Sequence, residues 1–258
     1  MAIATTPDVR SVSTSAGTVR VRDRGGDGPA VLLVHSLLVD PDLYATLGPL
    51  LSARGYRCLE PELPLGAHSL ALRPGADLSP RGLARLLVEV LDGLGVASTS
   101  VVGVDTGGAL TQLLMAQHRD RVDRVVLTAC DAYEHFPPPS FAWAARLMTW
   151  PGVLLLTALA SRLRVVRRLA VPRDLRAVVA GMDSGCTLAA AEANRDFPRP
   201  VLVAWGDDDR LFRRSLAERL VQDLPDARLV TLPDCAAFAA IDVPELLAEL
   251  VDEHLQAL

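Results

Sequence analysis

Four short runs of the chain are built around a continuous apolar stretch: "AVLLVHS" (30–36), "STSVVGV" (98–104), "VDRVVLTAC" (122–130) and "VLVAWG" (201–206). A strand with one wet face alternates apolar and polar residues, whereas a continuous apolar run belongs to a strand covered on both faces. Segments with helical spacing separate these runs. They are "DPDLYATLGPLLSARG" (40–55), "LSPRGLARLLVEVLDGLG" (78–95), "TGGALTQLLMAQHRD" (106–120), "SLAERLVQDLP" (215–225) and "VPELLAELVDEHLQAL" (243–258). Strand–helix alternation of this kind predicts an α/β chain with a mostly parallel sheet and helices on both faces. "YRCLEPEL" (56–63) and "ARLVTLP" (227–233) supply further strands, and "SVSTSAGTVRVRDRG" (11–25) alternates around Ala16-Gly17 as a hairpin does.

The rhythm breaks at "DAYEHFPPPSF" (131–141) and resumes after Pro198 and Pro200. Between them the sequence reads helical, rich in Leu, Val and Ala, with Trp143 and Trp150 and no clear strand. The expected organisation is therefore an α/β core formed by 1–134 and 199–258, with a helical cap inserted over 135–198.

Composition narrows the partners. A net charge of −5 offers no basic surplus to neutralise phosphates, so nucleic acid is not expected. All 26 basic residues are Arg, which excludes lysine Schiff-base chemistry and a P-loop lysine. Cys58, Cys130, Cys186 and Cys235 are scattered without a C-x-x-C pair, as in a reduced cytoplasmic protein. The longest uncharged stretch, Leu147 to Ser161, is shorter than the ~20 residues needed to span a bilayer, and the start "MAIATTPDVR" has no apolar core of a signal peptide. No clustered His/Cys pattern marks a metal, and no glycine-rich loop follows the first parallel strand, so neither a metal nor a nucleotide cofactor is expected.

"VVGVDTGGAL" (101–110) then carries the chemistry. A strand ends at Gly103-x-Asp105-x-Gly107-Gly108, and a helix begins; the glycines permit the sharp turn. Asp is also a common helix N-cap, which is the plain structural alternative for Asp105. The elbow, together with His35 after the third strand, "WGDDD" (205–209) after a late strand and "LPDCAAFAAIDVPE" (232–245), resembles the α/β-hydrolase fold over nearly the whole chain. The implied architecture is an eight-stranded, mostly parallel sheet with helices on both faces and a helical cap. An aspartate in the elbow looks like the haloalkane dehalogenase and epoxide hydrolase branch, where the carboxylate attacks carbon and a His-activated water cleaves the resulting ester.

The chain departs from that branch at several positions. Ala237 stands where the resemblance places the catalytic histidine, and no His occurs between 136 and 253. His35-Ser36-Leu37-Leu38 replaces His-Gly-x-Pro, and Thr106 stands where a dehalogenase has its halide-binding Trp. Asp209 matches the family's acid or is part of a solvated loop; Asp131 is the other acid position or a turn cap. His35 is read first as structural, whereas His68 and His135, on loops at the same sheet edge, are candidates to replace the missing base. His254 is expected at the surface and His118 as a charge partner of a helix C-terminus. The amides of Leu37 and Thr106 are the expected oxyanion donors. Tyr133, Trp143 and Trp150 are expected near a hydrophobic small-molecule substrate.

Three functions fit these residues. The leading expectation is a cofactor-free, non-hydrolytic enzyme using Asp105 as general acid/base in a cyclisation, elimination or isomerisation on an apolar carbonyl compound, as in secondary metabolism. The alternative is a hydrolase or dehalogenase acting through an Asp105 ester with a relocated His base. The third is a non-catalytic binding protein that kept the fold.

Overall fold

A computed structural model of the chain describes residues 7–137 and 172–257. Eight strands form one sheet in the order β1-β2-β4-β3-β5-β6-β7-β8. Strands β1 (Asp8–Thr14) and β2 (Gly17–Asp23) form the expected hairpin, with Val12 paired to Val19. Strand β2 also runs antiparallel to β4 (Arg57–Pro61). The remaining pairs are parallel: β3 (Ala30–Val34), β5 (Thr99–Asp105), β6 (Val122–Cys130), β7 (Val201–Gly206) and β8 (Ala227–Leu232).

The apolar runs are buried on both sides, as their composition requires. Leu32, Val34 and Val101 face one core, shared with α2 (Pro80–Gly93) and α3 (Thr106–Gln117). Val31, Leu33, Val102 and Val104 face another. Apolar residues of α1 (Leu47–Ala53) and α8 (Pro244–Gln256) close that second face. Helix α2 starts where Ser79 and Pro80 predict: the Ser79 hydroxyl accepts from the Gly82 amide at 3.1 Å, and Pro80 occupies the first turn. Helices α4 (Pro172–Gly181) and α5 (Ser184–Ala193) follow, and then α6 (Arg214–Asp223) packs beside β7 and β8. The short helix α7 (Ala239–Asp242) lies within the segment "CAAFAAID", where no helix was expected.

Strand order reverses at β3, which lies between β4 and β5. In an open parallel sheet, the crevice outside the strand ends at such a reversal is where ligands bind. His35-Ser36 leaves β3 at that point, and Asp105 leaves β5 beside it.

Candidate active site

Asp105 sits at the junction of β5 and α3 with φ 52° and ψ −125°, a backbone conformation that a non-glycine residue adopts only under constraint. The constraint is the packing of the glycines that follow. A Cβ on Gly107 would lie 2.1 Å from the Val34 carbonyl oxygen, and one on Gly108 would lie 2.2 Å from Cys130 Cβ. The first turn of α3 is thereby pressed onto the ends of β3 and β6. Asp105 makes no side-chain cap of its own helix, so the capping alternative does not describe it.

Register brings the partners in. Val34 pairs with Gly103 across β3 and β5, so two residues further on Ser36 meets Asp105. The Ser36 hydroxyl donates to Asp105 Oδ2 at 2.5 Å. On the other side, β5 and β6 pair Val104 with Thr128 but Asp105 with Cys130, an irregularity that advances β6 by one residue. Asp131 consequently lies beside the elbow, its own amide donating to the Asp105 carbonyl at 3.3 Å. The Gln112 amide group holds the Asp131 carbonyl at 2.8 Å and fixes this stretch against α3.

The result is a carboxyl pair bridged by a hydroxyl, with Asp131 buried and Asp105 half-buried. Thr106 Oγ1 lies 3.2 Å from Asp105 Oδ1 and 3.4 Å from Asp131 Oδ2, and the Asp131 carboxyl is also within hydrogen-bond reach of Asp105. Burial pushes the Asp105 carboxyl above its usual range, opposed by the Ser36 hydroxyl, the Thr106 amide and hydroxyl, and Asp131. Burial, the Asp105 charge and the hydrogen bond to Asp105 hold Asp131 well above the usual carboxylate range. Asp131 is fully buried, and its Oδ1 has no partner among the described residues.

The other expected residues are differently placed. His35 is buried, with Nδ1 2.8 Å from the Ser36 carbonyl and Nε2 accepting from the Leu63 amide at 2.9 Å. Both nitrogens are thus engaged by backbone, and burial pushes its pKa down to about 4, so His35 is a structural residue and not a base. His68 is buried against Asp174 of α4, Nε2 to Oδ2 at 3.3 Å, and Asp174 also accepts from the Leu72 amide at 2.8 Å. That pairing clamps the loop after β4 to α4. His135 ends a 3₁₀ turn (Tyr133–His135), is half-buried, and its ring makes no hydrogen bond to Asp105 among the described residues. The Tyr133 hydroxyl donates to Asp223 of α6 at 2.9 Å and its ring lies under Arg219, so it turns away from the elbow. Asp209 Oδ1 accepts from the Leu211 and Phe212 amides at 2.7 and 2.9 Å, which makes it a turn cap after β7. Ala237 packs into the apolar core.

Burial overturns one further expectation, since His254 is 3% exposed instead of at the surface, and desolvation lowers the pKa of the half-buried His118, against the charge expected at the end of α3. Trp143 and Trp150 lie outside the described residues. The Leu37 amide donates to nothing among the described residues, whereas that of Leu38 is taken by the Leu65 carbonyl. Among the described residues no cluster of His, Cys, Asp and Glu is placed to hold a metal ion, and no helix is long and apolar enough to cross a membrane.

Ser36 is the partner that the sequence alone does not single out. Its signal is its position: a hydroxyl directly after His35, where the resemblance has glycine.

Comparison with known proteins agrees with this fold. A family model described as "alpha/beta hydrolase fold" matches residues 29–172. Haloalkane dehalogenase 2 of Mycobacterium bovis is 30% identical, over 95% of this chain and 94% of that protein. A 2-hydroxymuconate semialdehyde hydrolase of Pseudomonas putida is 26% identical, over 95% and 93%. The crystal structure of an enol-lactonase from Burkholderia xenovorans superposes with a TM-score of 0.75 at 21% identity, covering 96% of this chain and all of that one (100%). These relatives are named as hydrolases. They overturn the leading expectation of a non-hydrolytic cyclisation, elimination or isomerisation, and with it the biosynthetic setting; they favour the hydrolytic alternative. By its family match, its sequence relatives and its sheet, this chain is an enzyme of the α/β-hydrolase fold family.

Proposed function

We propose that the chain is a haloalkane dehalogenase-like hydrolase that acts on a hydrophobic small molecule through a covalent ester on Asp105. The observation that carries this reading is the Asp105 carboxylate itself, held on a strained turn by the Ser36 hydroxyl at 2.5 Å and by the Thr106 hydroxyl and amide. Those donors orient the carboxylate before any substrate arrives, so little reorganisation is needed at the moment of attack.

The reaction follows in two steps. An Asp105 oxygen attacks an electrophilic carbon, a carbon–oxygen bond forms, and the leaving group departs with its electron pair. Water then attacks Cγ of the ester. The negative charge that develops falls on an Asp105 oxygen, where the Thr106 amide already donates and the Leu37 amide is unpartnered among the described residues. The Thr106 side chain replaces the halide-binding indole of the resemblance and hydrogen-bonds the nucleophile, so the leaving group receives no indole N–H at this position.

Intact-mass measurement after incubation with 1-bromobutane and with styrene oxide tests the reading. A covalent adduct, or release of bromide or diol, that is abolished by Asp105→Asn supports it. Equal product formation by wild type and Asp105→Asn refutes it.

A further inference from the structure

We infer that Asp131 is the proton acceptor for water attack on the Asp105 ester, reached through the Thr106 hydroxyl. This rests on the covalent-ester reading above and names the group that replaces the absent histidine.

The geometry requires a proton on the pair. Thr106 has one hydroxyl proton, yet its oxygen stands within hydrogen-bond distance of two carboxyl groups, Asp105 at 3.2 Å and Asp131 at 3.4 Å. One proton cannot serve both. If Asp131 carries a second, it donates to Thr106 Oγ1 while Thr106 donates to Asp105, and both carboxyl contacts of the Thr106 hydroxyl are satisfied. Two adjacent carboxyls withdrawn from solvent by Asp131's burial and without a cation share one proton for the same reason that other carboxyl dyads do. Among the described residues neither Asp105 nor Asp131 forms an ion pair, and the neighbouring Cys130 is a buried thiol whose own ionisation is suppressed by burial and by both carboxyls.

Asp131 has no structural duty that would explain its cost. The Gln112 side chain binds its backbone carbonyl and not its carboxyl, and its Oδ1 is unpartnered among the described residues. Asp209, by contrast, caps its turn through Oδ1, which accepts from two backbone amides, although its Oδ2 is also unpartnered among the described residues.

The proton inventory closes over a cycle. In the resting pair Asp105 is charged and Asp131 protonated. Alkylation of Asp105 by an alkyl bromide forms the ester and releases bromide, which removes the neighbouring negative charge that, after burial, did most to hold the proton on Asp131. That proton leaves to solvent. Water then passes one proton to Thr106 Oγ1, which passes its own to Asp131, as hydroxide adds to Cγ. Collapse of the tetrahedral species expels the alkoxide, which takes the proton from Asp131 and departs as alcohol. The acid regenerated at Asp105 keeps the second water proton, and the pair again holds one proton.

Wild type, Asp131→Asn and Asp131→Glu are compared with 1-bromobutane in ¹⁸O-water, following bromide release and the mass of the peptide carrying Asp105. Wild type is expected to turn over repeatedly and to incorporate ¹⁸O at Asp105. Asp131→Asn should release one equivalent of bromide and retain a butyl ester whose hydrolysis is slowed at least ~100-fold. Asp131→Glu should recover part of that hydrolysis with a displaced pH profile. Ester hydrolysis at the wild-type rate in Asp131→Asn overturns the inference, as does a folded Asp131→Asn that cannot be alkylated at all. If Asp131→Asn does not fold, an unchanged pH profile in Asp131→Glu overturns it. A wild type never alkylated at Asp105 by 1-bromobutane or styrene oxide is a different result: the ester reading itself then fails.

Discussion

Ser36→Ala isolates the shortest contact of the site. The Ser36 hydroxyl donates to Asp105 Oδ2 at 2.5 Å, Ser36 is buried and Asp105 half-buried, and after burial this hydrogen bond is the largest influence on the Asp105 carboxyl. A hydrogen bond to a charged group contributes about 1.5–3 kcal/mol. At 1.36 kcal/mol per pKa unit, its loss raises the lower titration step of the Asp105/Asp131 pair by about 1–2 units. The sign also fixes a stability effect. Burial has already raised the folded pKa above that of the unfolded chain, so ionising Asp105 costs stability as pH rises through the folded value, and Ser36→Ala enlarges that cost. The variant should be less stable than wild type near neutral pH by about 1.5–3 kcal/mol, with the gap closing at acidic pH where both carboxyls are protonated. The assay is ¹³C NMR titration of labelled aspartate carboxyls, with Asp105→Asn identifying the resonance, alongside urea unfolding across the same pH range. A titration step that stays in place, or moves down, would show that the helix amide and Asp131 hold the charge without Ser36.

Other perturbations separate packing from chemistry. Gly107→Ala places a Cβ 2.1 Å from the Val34 carbonyl oxygen and should cost about 1–3 kcal/mol in urea unfolding, as overpacking does; a neutral result would mean that the elbow can open without loss. Asp174→Ala strips acceptors from the Leu72 amide and the His68 ring, and each buried donor left unpaired costs about 1–3 kcal/mol; an unchanged unfolding midpoint would remove the clamp between the loop and α4. His254 is held neutral by burial and by Arg228 and Arg124, with a pKa of about 4. Its folded pKa lies below the unfolded one, so its contribution is complete above about pH 6.5 and is lost as pH falls toward 4. His254→Gln should therefore lose about 2 kcal/mol less stability than wild type between pH 7 and pH 5, and equal losses would contradict its burial.

Much of this site is legible in the chain's own residues. The glycines around Asp105 mark the elbow because only residues without Cβ let a helix start so close to neighbouring strands, and that is how Gly107 and Gly108 are used. Other candidates carry no such signal. His254 looks like an exposed residue of a charged helix, yet that helix turns it inward. Tyr133 and Asp209 share the sheet edge with Asp105 in sequence order, but one hydrogen-bonds α6 and the other caps its own turn. Proximity to the edge does not fix where a side chain points.

The sequence by itself determined the sheet and the elbow. Continuous apolar runs must be covered on both faces, and a Gly-x-Asp-x-Gly-Gly turn must end a strand and open a helix, whatever surrounds it. Which residues meet Asp105 was decided by tertiary structure, because strand register is a relation between segments far apart in the chain. The β3–β5 register sets Ser36 opposite Asp105, and the second of two irregular steps between β5 and β6, at Val104/Asp105, advances β6 by a residue. Side chains alternate faces along a strand, so that step brings Asp131 to the elbow and makes a carboxyl pair that no local pattern contains.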